Sequence, residues 1–176
     1  GGTWKTFPPT PFRYTFQAIH SMQQITFGIL KNSGELHWDN QTTTIWDCQL
    51  FKLPVVQTEA GSITALNNRM DIPFDVVRVF YLYDVPGGTD RGGHAHIAQH
   101  QLIIAASGSF DVLLDDGKNK KVVSLNRPYL GLHVPPGIWN ELFNFSSGSI
   151  CLVLASDVYR EEDYIREYSL FRKHKS

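Results

Sequence analysis

What most constrains this chain is a run of short β-branched and aromatic segments separated by turn signals. WDCQLFKLPVV, GSITALN, DVVRVFYLYDV, QLIIAASGSFDVLLDD, KKVVSLN, GLHVPP, ELFNFS and SICLVLAS follow one another from residue 46 to residue 156. Segments this short and this regularly punctuated predict an antiparallel sandwich or barrel. DDGKNKK places Asp-Asp-Gly between FDVLL and VVSL, which marks a hairpin. The tail EEDYIREYSLFRKHKS alone reads as helix. Tyr164, Tyr168 and Phe171 fall at i, i+4 and i+7, with acidic residues early and basic residues late, as the helix dipole favours.

The chain has 176 residues, 42% of them hydrophobic, enough for one substantial core. Composition shifts near Thr42–Thr44, so the sequence divides into an N-terminal extension, residues 1–45, and a main domain, residues 46–176. The extension is aromatic and proline-rich at its start and offers one strand, QQITFGIL. Sixteen Lys and Arg balance seventeen Asp and Glu, leaving a net charge of −1, so no basic surplus draws in nucleic acid or an anionic membrane. No apolar run approaches the roughly 20 residues of a membrane span, and GGTWKTFPPTPF has neither the charged start nor the apolar stretch of a secretory signal. Cys48 and Cys151 lie in apolar surroundings without metal-ligand spacing and read as buried thiols. A soluble, cytoplasmic protein is the expectation.

The sharpest local pattern is Arg91-Gly92-Gly93-His94-Ala95-His96. Residues i and i+2 of a strand point to one face, so His94 and His96 project together. Two imidazoles beside an arginine can bind a metal, move a proton or fill a polar core, and spacing does not choose among these. His20, His37, His100, His133 and His174 lack any constellation and read as surface or satisfied polar residues. Trp139 and Phe143 read as core, and Glu141 can face either way.

The spacing Gly88-x5-His94-x-His96-x4-Gln101-x6-Gly108 resembles the first cupin motif, with Gln101 where that motif has glutamate. Pro135 to Asn144 resembles the second, with Asn140 in place of histidine. The fold expected from this resemblance is all-β, a cupin (double-stranded β-helix or jelly-roll) barrel with a short C-terminal helix. Metal-binding cupins use three histidines and a carboxylate, whereas neutral amides are poor ligands for zinc, iron or manganese, so no metal is expected.

DIPFDVVRVFYLYDV, RGGHAH, LNRPYLGLHVPPGIW and CLVLASDVYREEDYIREY together resemble the nucleotide-sugar 3,4-ketoisomerases, the WxcM-like family, over about residues 46–172. That resemblance implies a dimeric cupin that takes a dTDP-4-keto-6-deoxyhexose and moves its carbonyl from C4 to C3 without a metal or an organic cofactor. Such chemistry needs a base for the C3 proton and donors aimed at an enediolate oxygen. His94 is then the base, His96 its partner in relay or orientation, and Arg91 the cation near the oxyanion or pyrophosphate; the two histidine roles could be exchanged. Arg78 is a candidate for the phosphates, its alternative being a barrel-edge ion pair. Tyr81, Gln101 and Asn140 complete the expected substrate-binding set.

Three positions depart from the family pattern: Phe80 replaces a tyrosine, Asn140 a histidine and Ile97 a lysine. They leave two other functions in play, a degenerate cupin that binds a nucleotide sugar without turnover and a metal-dependent cupin enzyme. The Asp163–Arg166 block reads as structural. An exposed edge such as WDCQLF or QQITFGIL would allow pairing with a second copy, so a homodimer is expected.

Overall fold

The computed structural model describes residues 38–176, so QQITFGIL, His20 and His37 lie outside the described residues. In chain order the strands are β1 (Gln49–Lys52), β2 (Val56–Thr58), β3 (Gly61–Ile63), β4 (Arg78–Leu82), β5 (Arg91–His96) and β6 (Gln101–Ser107). They continue with β7 (Phe110–Asp115), β8 (Lys120–Leu125), β9 (Leu130–Val134), β10 (Trp139–Phe143), β11 (Ile150–Ala155) and β12 (Tyr164–Ile165), followed by helix α1 (Tyr168–His174). Each strong apolar run of the sequence contributes a strand, and the Asp-Asp-Gly segment joins β7 to β8, with Asp115 opposite Lys120.

Two five-stranded antiparallel sheets result, in the orders β1-β9-β6-β11-β4 and β12-β5-β10-β7-β8. Consecutive strands β5, β6 and β7 alternate between the sheets, as in a jelly-roll barrel. Ile103, Ala105, Leu132, Cys151 and Val153 of the first sheet meet Phe110, Val112, Leu114 and Leu142 of the second in the central core. Each large side chain so buried contributes about 1.5–3 kcal/mol. Strand β6 is buried on both faces: Leu102 and Ile104 point the other way and pack under Leu53, Ile72 and Phe74. This explains why QLIIAA lacks polar alternation. Cys48 and Cys151 are buried free thiols, and burial pushes Cys151 up to about 12.

Two expectations are corrected. Residues 38–45 are not outside the packed domain. Ile45 belongs to the central core, and the Asn40 side chain donates to the Ile97 carbonyl at 2.7 Å. Lys175 donates to the carbonyls of Asn40 and Thr43. At Gly137, which has φ +80°, a Cβ would fall 1.9 Å from the Asn40 carbonyl oxygen, so only glycine admits this approach. The compositional shift near Thr42–Thr44 therefore marks no packing boundary.

The tail is also not one helix. Glu161–Asp163 forms a short 3-10 turn and Tyr164–Ile165 pairs with His96 and Ala95 of β5. The edge of β5 offers unpaired backbone groups, and satisfying them outweighs a weak helical preference. Helix α1 keeps only the second half of the predicted face, with Tyr168 and Phe171 packed against Trp139. The Tyr168 hydroxyl donates to buried Asp115 at 2.7 Å, which ties the helix to the β7–β8 hairpin.

Candidate active site

The two sheets contribute to one polar cluster. His94 and His96 lie in β5 with ring centroids 5.0 Å apart, and His96 is 3% exposed. Period-2 alternation puts them together, with Ala95 turned outward against Trp139 and Phe171. Gln101 enters from β6, on the inner face with Ile103 and Ala105, and its amide nitrogen stands 3.0 Å from His96 Nε2. Asn140 of β10 is opposite His94 in register and donates to the His94 carbonyl at 3.4 Å, so it braces the backbone that carries the imidazole.

Sequence reasoning missed three members. Asp163, at the end of the 3-10 turn, sits 2.8 Å from His96 Nδ1 through Oδ2 and accepts the Ala98 N–H at 2.7 Å through Oδ1. Tyr164 lays its ring against both imidazoles, 5.0 Å from His94 and 4.4 Å from His96. Gln99 places its amide nitrogen 3.3 Å from His96 Nε2. The first two residues of the Asp163–Arg166 block, read from sequence as structural, thus lie against the histidine pair. Arg166 is spent on Glu161, with its Nε 2.6 Å from Oε1, and covers the Tyr164 ring at 4.3 Å.

Arg78 does reach the site. Its Nη2 donates to Gln99 Oε1 at 3.3 Å and to the Tyr164 hydroxyl at 3.4 Å, while the guanidinium lies over the Phe80 ring at 4.9 Å. Arg78 Nε and His94 Nδ1 are buried without a partner among the described residues. Tyr81 does not join them. Along β4, Arg78, Phe80 and Leu82 turn inward, so Tyr81 faces out, 59% exposed and against Tyr83. With Phe80 in the tyrosine position, the phenol in this cluster is that of Tyr164. Arg91 is exposed at the start of β5, where its backbone pairs opposite Leu142, and its side chain makes no hydrogen bond or ion pair among the described residues. Gly92 follows it with φ +83°, where a Cβ would meet the Asn140 carbonyl oxygen at 2.9 Å.

The two imidazoles differ electrostatically. Burial, reinforced by neighbouring His96, pulls His94 down to about 4, so it is neutral near pH 7. Burial works to raise the Asp163 carboxyl, but hydrogen bonds from His96 and the Ala98 amide prevail and hold it below its usual range. His96 therefore faces a carboxylate on one side and amides on the other. Among the described residues no group of three or more His, Cys, Asp or Glu side chains converges to hold a metal ion, and the amides of Gln101 and Asn140 are poor replacements.

His100 and His133 form a second pair outside this cluster and are satisfied polar residues, the second of the two readings the sequence allowed. Their rings stack 5.3 Å apart, His100 Nδ1 lies 3.0 Å from His133 Nε2, and Trp38, Phe51 and Phe74 surround them. Trp139 is core as expected, and Glu141 faces outward to accept its indole N–H at 2.8 Å. Phe143 is half-buried at the end of β10.

Two antiparallel sheets closed over a core, with paired imidazoles, a carboxylate and amides brought together at one place, define a cupin-type barrel with a cluster of titratable and amide side chains. Residues 46–176 match the model of the WxcM-like, C-terminal (FdtA) family, and the chain belongs to that family. It is 43% identical over 114 residues to the TDP-4-oxo-6-deoxy-alpha-D-glucose-3,4-oxoisomerase of Aneurinibacillus thermoaerophilus, covering 65% of this chain and 82% of that protein. The structure of a variant of the 3,4-ketoisomerase QdtA from Thermoanaerobacterium thermosaccharolyticum, in complex with TDP-4-keto-6-deoxyglucose, superimposes with a TM-score of 0.73. Its identity is 35%, with 75% of this chain and 96% of that chain covered. The WlaRB TDP-quinovose 3,4-ketoisomerase from Campylobacter jejuni is 42% identical with a TM-score of 0.70, covering 72% and 98%.

Proposed function

We propose that this chain isomerises a dTDP-linked 4-keto-6-deoxyhexose by moving the carbonyl from C4 to C3 through an enediolate. The observation that carries the reading is the imidazole of His96, held against the Asp163 carboxylate at 2.8 Å in a cluster that also contains a neutral His94. A base removes the proton from C3, the electron pair forms the C3–C4 double bond, and the C4 oxygen takes the negative charge. The conjugate acid returns a proton to C4 as the O3 proton leaves and O4 is protonated.

His94 is the base in this reading: it is neutral near pH 7, and its Nδ1 has no partner among the described residues. His96 has Asp163 on Nδ1 and the amides of Gln99 and Gln101 on Nε2, so it acts beside His94 in orientation and relay rather than meeting C3 itself. Arg78 and the exposed Arg91 supply cations for the oxyanion and the pyrophosphate. Protein stripped with EDTA is expected to convert dTDP-4-keto-6-deoxyglucose to the 3-keto isomer as fast as untreated protein. Loss of turnover on chelation, with recovery on adding a divalent ion, would replace this reading by a metal-dependent one.

The working unit in this reading is a homodimer in the cytoplasm, where Cys48 and Cys151 stay reduced. Among the described residues no helix is long and apolar enough to cross a membrane. Strand β4 is the edge of its sheet, and Val79 and Tyr81 on its outer face are 56% and 59% exposed. An apolar edge of this kind is stabilised by a second copy. Sedimentation of the wild type is expected to give twice the chain mass, and a Val79→Glu/Tyr81→Glu variant the single mass. A monomeric wild type would remove the dimer from the account.

A further inference from the structure

The chain turns between β5 and β6 at His96–Gln99, and this corner carries two members of the polar cluster, His96 and Gln99. Its backbone groups lie beyond the regular ladders and need partners of their own. The Ile97 N–H donates to the Asp163 carbonyl at 2.9 Å, the Ala98 N–H donates to Asp163 Oδ1 at 2.7 Å, and the His96 carbonyl accepts the Gly137 N–H at 2.7 Å. The Ile97 carbonyl is met by the Asn40 side chain, whose Nδ2 donates to it at 2.7 Å. Resting on the isomerase reading above, we propose that Asn40 is a positioning residue of the active site. It holds the corner from ahead of residue 46, where the match to the family begins.

Asn40 serves this role because it is itself fixed. The segment DNQTTT folds into a turn in which Asp39 Oδ1 accepts the Gln41 N–H at 3.0 Å, and the Asp39 carbonyl accepts the N–H groups of Thr42 and Thr43 at 3.1 and 2.9 Å. The Asn40 carbonyl accepts from Lys175 Nζ at 2.9 Å and packs against Gly137, where no Cβ fits. The Asn40 amide has one donor end and one acceptor end. Its NH2 faces the Ile97 carbonyl, which only accepts, so Oδ1 faces His174 Nε2, at 2.8 Å, and that nitrogen donates. Aspartate has the same shape and keeps the contact with His174, but it sets an acceptor against the Ile97 carbonyl.

Asn40 bonds to neither imidazole and acts through Ile97. The N–H groups of Ile97 and Ala98 fix Asp163, and Asp163 Oδ2 lies 2.8 Å from His96 Nδ1. Gln99, at the end of the same corner, places its amide nitrogen 3.3 Å from His96 Nε2 and accepts from Arg78. The His96 ring lies 5.0 Å from that of His94, the base in this account. Freeing the Ile97 carbonyl therefore loosens Asp163 and Gln99 together, and with them the ring that orients His94. A misplacement of about 1 Å that begins far from the chemistry costs up to about 10²-fold in rate.

The test combines steady-state kinetics with amide hydrogen exchange in the full chain, at a temperature where each variant is fully folded. Asn40→Ala is expected to lower kcat on dTDP-4-keto-6-deoxyglucose by about 5–20-fold, with KM and TDP affinity within about twofold of wild type. Asn40→Asp should lose at least as much, although it keeps the contact with His174. In both variants the amides of Ile97, Ala98 and Gly137 should exchange at least about tenfold faster, while those of Val112 and Leu114 in β7 keep their rates. A contribution to stability alone would move the unfolding midpoint and leave kcat of the folded protein unchanged. A folded Asn40→Asp with unaltered kcat would overturn the proposal, as would unaltered exchange at the three corner amides. If Asn40→Ala does not fold, Asn40→Asp decides. If wild type turns over no keto sugar, the isomerase reading fails, while exchange at Ile97, Ala98 and Gly137 still decides whether Asn40 holds the corner.

Discussion

His94→Asn is expected to lower kcat on dTDP-4-keto-6-deoxyglucose by about 10²–10⁴-fold while leaving TDP affinity within about twofold. Asparagine keeps a polar side chain at this position, so the fold survives. What disappears is the atom that takes the C3 proton in this account. His96→Asn should cost less in kcat, because asparagine can still meet Asp163 and this residue acts beside His94 rather than on the sugar carbon. Progress curves at saturating substrate and titration with TDP separate the two effects. A His94→Asn protein with near-normal kcat, beside an inactive His96→Asn protein, would move the base to His96.

The second large effect is on stability in mild acid. Burial pulls His94 and His100 down to about 4, and burial together with its neighbour His100 pulls His133 down to about 3. In the unfolded chain each titrates near the ordinary value of about 6.5. Between these values the unfolded chain binds protons that the folded chain refuses, so folding stability rises with pH across this window and is lost as pH falls from 6.5. From pH 6.5 to pH 5 each such histidine removes on the order of 2 kcal/mol. Carboxylates remain largely ionised there, so the loss belongs to the histidines. Urea unfolding should show a steep fall in midpoint over that interval. A His100→Asn/His133→Phe variant should flatten it by more than half, since it removes the stacked pair in the aromatic box and leaves His94 alone. An unchanged slope in that variant would show that the pair contributes no linkage.

The sequence carried the barrel because its signals are local. Short runs of strand formers, an Asp-Asp-Gly hairpin and a two-residue histidine spacing all act within a few residues, and β1 to β11 and the facing imidazoles follow from them. Gln101 was legible from motif spacing, and the structure sets it on His96. Asp163 was not. Its contact with His96 spans 67 residues, and the helical periodicity of the tail concealed a strand that forms only because the edge of β5 is available. Tyr81 shows the opposite difficulty. Alternation was plain along DVVRVFYLYDV, but which face is inner depends on the core, and the packing of Phe80 and Leu82 there turns Tyr81 to the outside. His100 and His133 lie 33 residues apart and meet only when β6 and β9 pair. Residues 38–45 carried no periodic pattern, and their packing rests on side-chain caps and the close approach at Gly137.

The most direct test follows dTDP-4-keto-6-deoxyglucose deuterated at C3 through the reaction in ordinary water. The account predicts a 3-keto product, deuterium lost from C3, C4 carrying deuterium handed on by the conjugate acid together with hydrogen it has exchanged from water, and a primary isotope effect on kcat relative to unlabelled substrate. Recovery of unchanged substrate with its deuterium intact would contradict it.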